Sequence, residues 1–253
     1  MEKNIDNNFN LFDYFGFPNR NRRAEIQQIC DVNKLQLIRA ENCSSWFHDN
    51  YFGLYNTWSN HINNFSSNLW LHFLLMNYQY DNHPPEILEN IDEQDSSAIA
   101  HKIFYDTFIE DVSLYLISYL DKHLEMYNSL YDFQGQAKNK RKLSRNSIIS
   151  EMKTTNELTE LSKEYQSITQ SEEFKAVKQI RDNFVHNKSS SHLGEHITKY
   201  GNGVTAYGIS HGIETRLIYS IVCILLKRYE NLCLKVNEFM IKKVENSQYT
   251  SNK

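Results

Sequence analysis

The chain has 253 residues, 40% of them hydrophobic, which is enough to bury a sizeable core in one large domain or two small ones. Three Pro and eight Gly leave few helix breakers, so long helices are expected. The net charge of −4 argues against a surface that binds polyanions everywhere, so any nucleic-acid contact must come from a local patch. Residues 1–20 are Asn-rich and carry Phe9, Phe12, Tyr14, Phe15 and Phe17, aromatics expected to pack down on something. The abundance of Asn along the whole chain reads as compositional bias. A helix is predicted over 22–46, with Ile26, Ile29, Asn33, Leu37 and Ala40 near one face. A second is predicted over 51–80, with Leu54, Trp58, Ile62, Phe65, Leu69, Phe73 and Met76 as its stripe. His61 and His72 lie near that stripe and read as core-edge residues with hydrogen-bond partners, because no Cys or carboxylate spacing supports a metal site.

Asn82-His83-Pro84-Pro85 and the acidic stretch 86–95 mark the expected boundary. They divide an N-terminal helical region, 1–95, from a helical bundle, 96–246, with a disordered polar tail over 247–253. A long helix is predicted over 97–130, its stripe running through Tyr105, Phe108, Val112, Tyr115, Tyr119, Leu124 and Tyr127. Those aromatics read as packing, since buried stripe positions cannot stack on a base. The most basic stretch, 134–145, holds Lys138, Lys140, Arg141, Lys142 and Arg145 without an acid, and reads as a flexible loop or an RNA-phosphate contact. A helix over 156–169 follows, with Leu158, Leu161, Tyr165 and Ile168 on its apolar side.

The stretch 171–188 carries the chemistry. Ser171 is a good N-cap, and Glu172 and Glu173 suit a helix N-terminus. Phe174, Val177, Ile180 and Phe184 form one stripe. Arg181, Asp182, Asn183 and His186 gather at the far end. Asp182 and His186 are four apart and share a face. Arg181 and His186 are five apart, about 140° around an ideal helix. The Arg side chain must sweep round, or the last turn must be distorted, or the site must lie between two copies of the helix.

Beyond it, His192 to His196 matches H-x-x-E-H, a zinc-peptidase pattern, but Gly194 and the preceding triple Ser do not suit the buried helix that such ligands need. A β-hairpin is predicted over 197–207, turning at Asn202-Gly203. The final helix is predicted over 214–244, with Leu217, Ile221, Ile224, Leu232, Val236 and Phe239 facing the core. Cys30, Cys43, Cys223 and Cys233 show no paired spacing and read as reduced, buried thiols. The N-terminus lacks a signal-peptide core, and the most apolar run, 217–226, is too short for a bilayer. A soluble, cytoplasmic protein with no membrane contact is expected.

Arg181-Asp182-Asn183-Phe184-Val185-His186 resembles the R-x4-H motif of the HEPN superfamily, in which a polar residue directly follows the Arg, as Asp182 does. The resemblance is expected to cover about 96–246. It implies an all-α, up-and-down bundle with one short β-hairpin, preceded by an N-terminal helical extension. It also implies a homodimer whose paired motifs cleave RNA without metal or cofactor, leaving a 2′,3′-cyclic phosphate. His186 would be general base or acid, Arg181 the phosphate clamp and Asp182 the residue that orients His186. Asn183, Lys178 and Lys188 are candidates for holding the RNA substrate. A toxin with an antitoxin partner, an anti-phage defence RNase and an RNA-processing enzyme all fit. So does a non-catalytic module that binds nucleic acid or protein. Some toxin members carry a Tyr two residues after the His, which a nucleotidyltransferase modifies. Lys188 stands there in this chain, so that mode of silencing is not supported.

Overall fold

The computed structural model of the chain describes residues 15–40, 50–82, 96–136, 143–185, 193–199, 205–211 and 215–251. For residues 50, 96, 98, 99, 102, 183–185, 193–199, 205–211, 215 and 248–251 it describes the backbone alone. Phe9, Phe12, Tyr14, Cys43, the acidic stretch 86–95, the lysines and arginine of 137–142 and the Asn202-Gly203 turn lie outside the described residues. So do His186, Lys188, Ser189 to Ser191 and His192.

The first helix, α1 (Arg20–Ile29), starts where the Asn19 side chain accepts from the Arg22 amide at 3.0 Å. It is shorter than the predicted span 22–46. The Asp31 side chain takes the Asn33 amide at 3.1 Å and caps a 3₁₀ turn, Val32–Leu35, in place of a continued helix. Short polar side chains compete with the helix for backbone groups in this way. The chain then crosses the bundle as a strap, 36–40, whose backbone is read by asparagine side chains. Asn63 receives the Leu37 amide at 2.7 Å and donates to the Leu37 carbonyl at 2.8 Å. Asn237 receives the Ile38 amide at 3.0 Å and donates to the Gln36 carbonyl at 3.0 Å. Asn56 receives the Ala40 amide at 2.9 Å. Leu35, Leu37 and Ala40 bury their side chains beneath it.

The strap supplies a prediction. Asn63→Ala leaves a partly buried N–H and C=O of Leu37 unpaired, and each such loss costs roughly 1–3 kcal/mol. Exposed Asn64, the next residue, provides the control. Urea unfolding should show a lower midpoint for Asn63→Ala and an unchanged one for Asn64→Ala. Equal midpoints would contradict this account of the strap.

The second helix, α2 (Asn50–Asn82), runs antiparallel to α3 (Ser96–Tyr131): Tyr51 meets Tyr131 at one end, and Gln79 meets His101 at the other. Its buried face differs from the predicted stripe in the first half. Phe52, Tyr55, Ser59, Ile62 and Ser66 are buried, while Trp58 and Phe65 pack at the edge. The two serines go in because each hydroxyl donates back to a carbonyl of its own helix, from Asn56 and Asn63. The central helix is α3. Phe104, Tyr105, Phe108, Ile109, Val112, Leu116, Ile117, Tyr119, Leu120, Leu124, Met126 and Tyr127 are buried around most of its circumference. Its aromatics are packing residues: the Tyr119 hydroxyl donates to the Leu35 carbonyl under the strap and lies 2.9 Å from Cys233 Sγ. Beside it, burial pushes His123 down to about 3, so its ring is neutral, and Nδ1 lies 3.1 Å from the Tyr165 hydroxyl. At the bundle edge, His72 Nδ1 sits 3.0 Å from the Asp111 carboxylate.

After α3, Asp132 adopts a left-handed φ of 49° and turns the chain into α4 (Phe133–Gln136). The predicted loop 134–145 is therefore helical at both ends. Arg145 opens α5 (Arg145–Thr154), whose N-cap Ser144 accepts from the Ser147 amide at 3.2 Å. Sequence reading missed α5. Next come a 3₁₀ turn, Asn156–Leu158, and α6 (Thr159–Gln170), where Leu158, Leu161, Tyr165 and Ile168 are buried as predicted. The motif helix is α7 (Glu172–Val185). Two strands, β1 (Leu193–Lys199) and β2 (Thr205–His211), pair antiparallel with Ile197 opposite Tyr207. The H-x-x-E-H match thus runs into a strand, where zinc-peptidase helix geometry does not exist.

The last helix, α8 (Thr215–Ser251), continues into the segment read as a tail from 247. Leu232 and Val236 are buried as predicted, and Ile221 and Phe239 pack against the core, but over the first turns the inner face differs from the predicted one. Ile218, Val222, Leu225, Leu226 and Tyr229 are buried, whereas Leu217 is 51% and Ile224 46% exposed. Both sets have helical spacing, and Tyr229, whose hydroxyl donates to the Leu116 carbonyl at 2.9 Å, lies with the first. One core cluster joins residues from α1 through α8. No described helix is long and apolar enough to cross a membrane.

Candidate functional site at the end of the seventh helix

The site begins with how α7 is fixed. Ser171 has extended backbone and separates α6 from α7, and its hydroxyl accepts from the Phe174 amide at 3.2 Å. Phe174, Val177 and Ile180 are buried and seat α7 against α3 and α8. The Arg145 guanidinium lies 4.9 Å from the Phe174 ring centre and is itself held by Asp121 of α3 at 2.7–2.8 Å. On the other side, Arg228 of α8 reaches to 3.4 Å from the Glu173 carboxylate. Glu173's own amide, then Ser171 and Arg228, lower its carboxyl against a smaller opposing effect of burial. These clamps from Arg145, Asp121 and Arg228 are positioning contacts that sequence reading missed. They join distant segments, and no local spacing announces them.

Three of the predicted site residues come together at the C-terminal end of α7. Asp182 accepts a hydrogen bond from Lys178 with Oδ2, one turn back. Its other oxygen, Oδ1, lies 3.1 Å from Arg181 Nε. That Nε is buried and makes no aligned hydrogen bond among the described residues, so at this atom the attraction is one of charge. The Arg181 side chain as a whole is 24% exposed, and that of Asp182 33%. One carboxylate therefore faces two cations at a partly open helix end. Asn183 continues the helix by its backbone. His186 and Lys188, which sequence reading assigned to catalysis and substrate binding, lie outside the described residues.

The arrangement suits an anion. The guanidinium keeps donors to spare and is oriented by a neighbour that does not use all of them. Among the described residues no group of three or more His, Cys, Asp or Glu is placed to hold a metal ion.

Residues 58–246 match the family model described as Cthe2314-like HEPN. The span takes in α3 to α7 whole and most of α2 and α8, so it begins well before the expected position 96. No curated protein and no solved structure matches the chain.

Proposed function

We propose, because the chain belongs to the HEPN superfamily, that it is a metal-independent endoribonuclease working as a homodimer, in a toxin or defence role. In this reading a His186 acting as base takes the proton from a ribose 2′-OH. The freed oxygen attacks the adjacent phosphorus. The bond to the 5′-oxygen of the next nucleotide breaks, and that oxygen receives a proton from an acid, the His186 of a second copy. The products are a 2′,3′-cyclic phosphate and a free 5′-hydroxyl. Arg181 stabilises the charge that builds on the phosphate, as a planar fork of donors does best. Asp182 keeps Arg181 and Lys178 in place and, one turn before His186, orients its ring. Asn183, Lys178 and Lys188 hold flanking substrate groups.

The observation that carries this reading is the Arg181 guanidinium, partly open, tethered by Asp182, with Nε lacking an aligned acceptor. The dimer is supported by chemistry, since one chain offers one motif histidine and the reaction uses two. It is also supported by α8, which packs on α7 and exposes Leu217 and Ile224. A second reading, a non-catalytic binding module, is favoured by the double hold on Asp182, which is also what a purely structural ion cluster looks like.

The test incubates wild type and His186→Ala with a mixed RNA pool. Fragments should appear with wild type alone, and sedimentation should find a species of twice the 30.0 kDa chain mass. Equal backgrounds in both samples, with RNA retained by wild type and lost in Arg181→Ala, would favour the binding module instead.

A further inference from the structure

Two open clefts flank α6 on its outer side and share Gln166 and Gln170. One, of about 430 Å³, is lined by Lys163, Gln166, Ser167, Gln170, Ser171 and Arg228. The other, of about 350 Å³, adds Lys153 of α5 and Lys175 of α7, with Asn146, Ser150 and Thr169. Every lining residue but Ile149 carries an amide, a hydroxyl or a positive charge, borne in part on alkyl stems that also face the clefts.

The polar groups are not used up by the fold. The side chains of Gln166, Ser167 and Gln170 are exposed and make no hydrogen bond to a described residue. Lys153 forms no ion pair with a described residue. Lys163 and Lys175 bind only the glutamates one turn before them, Glu160 and Glu172, in pairs that are more than half exposed. Such pairs hold weakly, at about 0–1 kcal/mol, and exchange readily for a stronger anion. Arg228 is turned to Glu173 at 3.4 Å, yet its Nε is buried with no hydrogen-bond partner.

The clefts also have a direction. They meet α7 at its start, and α7 leads to the candidate site. From Ser171 to Arg181 the helix rises about 15 Å, a span of a few nucleotides. Cations stand at every third position on the way: Lys175, Lys178 and Arg181.

We propose that the paired clefts around Gln166 and Gln170 bind the sugar–phosphate backbone of RNA, a few nucleotides away from the bond cut at Arg181 and His186. The proposal rests on the ribonuclease reading and extends it to where the rest of the substrate lies. Lysines meet phosphates as point charges. Carboxamides can both donate and accept, which suits the ribose 2′-hydroxyl and the base edges. An acidic peptide would use the cations and leave the amides idle.

The experiment measures affinity by fluorescence anisotropy with a twelve-nucleotide single-stranded RNA and with a trinucleotide, in full-length protein carrying His186→Ala so that substrate survives. A second protein adds Lys153→Ala, Gln166→Ala, Gln170→Ala and Lys175→Ala. All four side chains are exposed, so the fold should tolerate the change, and circular dichroism checks it. The twelve-mer should bind roughly tenfold more weakly, with a salt slope shallower by about 0.7 for each phosphate no longer neutralised. The trinucleotide, which from Arg181 reaches at most the near edge of the clefts, should lose less affinity than the twelve-mer. Unchanged twelve-mer affinity and slope would overturn the proposal. So would tighter binding of a glutamate peptide of equal charge than of the RNA. Failure here is separable from failure of the nuclease reading, which is judged by whether cleavage depends on His186.

Discussion

Replacing His186 by Ala should slow RNA cleavage by roughly 10²–10⁴, the usual cost of losing a general acid or base. In a two-fold dimer both motifs lose their histidine at once, so base and acid go together and the larger figure is expected. Arg181→Lys should also damage the rate, although the charge is kept. A lysine offers one compact charge where the guanidinium offers a planar fork, and Lys178 already provides a point charge beside Asp182. Asp182→Asn should do less. The amide oxygen can still accept from Lys178, but the attraction that holds Arg181 Nε at 3.1 Å is lost. Single-turnover rates on one RNA, for the three variants and wild type, would give this order. A rate for His186→Ala within twofold of wild type would remove the histidine from the chemistry.

The second large effect concerns the helix that carries the motif. Phe174→Ala should destabilise the protein by about 3–5 kcal/mol, since the ring is 2% exposed and deletion leaves a cavity. The loss goes beyond the ring's own burial, because the Arg145 guanidinium rests on it at 4.9 Å while tied to Asp121 of α3. Without the ring, Arg145 keeps its carboxylate but no longer rests on α7. At about 2–4 °C per kcal/mol for a chain of this size, melting should fall by roughly 10 °C. Phe174→Leu refills most of the space and should fall by much less. A melting temperature for Phe174→Ala within a degree of wild type would mean that α7 is not anchored there.

The parts of this fold that sequence made legible are those with local periodicity. Phe174, Val177 and Ile180 were readable because a stripe at three and four residues needs no partner to be recognised. Leu158, Leu161, Tyr165 and Ile168 were readable for the same reason. On α8 the rule was ambiguous, since 217, 221 and 224 step like 218, 222 and 225, and only the packing of Leu225 and Tyr229 chooses between them. The strap was illegible. Its hydrogen bonds join Leu37 to Asn63 and Ile38 to Asn237, and nothing local distinguishes those asparagines from the many others. Reading Asn as compositional bias therefore missed chemistry that it performs. α5 was hidden for another reason, having just Ile148, Ile149 and Met152 to bury among polar residues.

The candidate site was legible to the same degree. Spacing put Arg181 and Asp182 at one helix end, where the two side chains meet, while the contact of Lys178 with Asp182 was not foreseen. Sequence reading paired Asp182 with His186, four residues on, and gave no weight to Lys178, four residues back at the same helical spacing. The lysine holds one oxygen of that carboxylate. Residues fixed from other segments, Arg145, Asp121 and Arg228, left no trace in the spacing at all.

End-group chemistry tests the central claim most directly. Purified protein is incubated with RNA of defined sequence in EDTA, and both ends of each fragment are identified. Cleavage by an attacking 2′-hydroxyl predicts undiminished cutting in EDTA, with 2′,3′-cyclic phosphate on one side of the break and 5′-hydroxyl on the other. Fragments carrying 5′-phosphates, or cleavage that stops in EDTA, would contradict it.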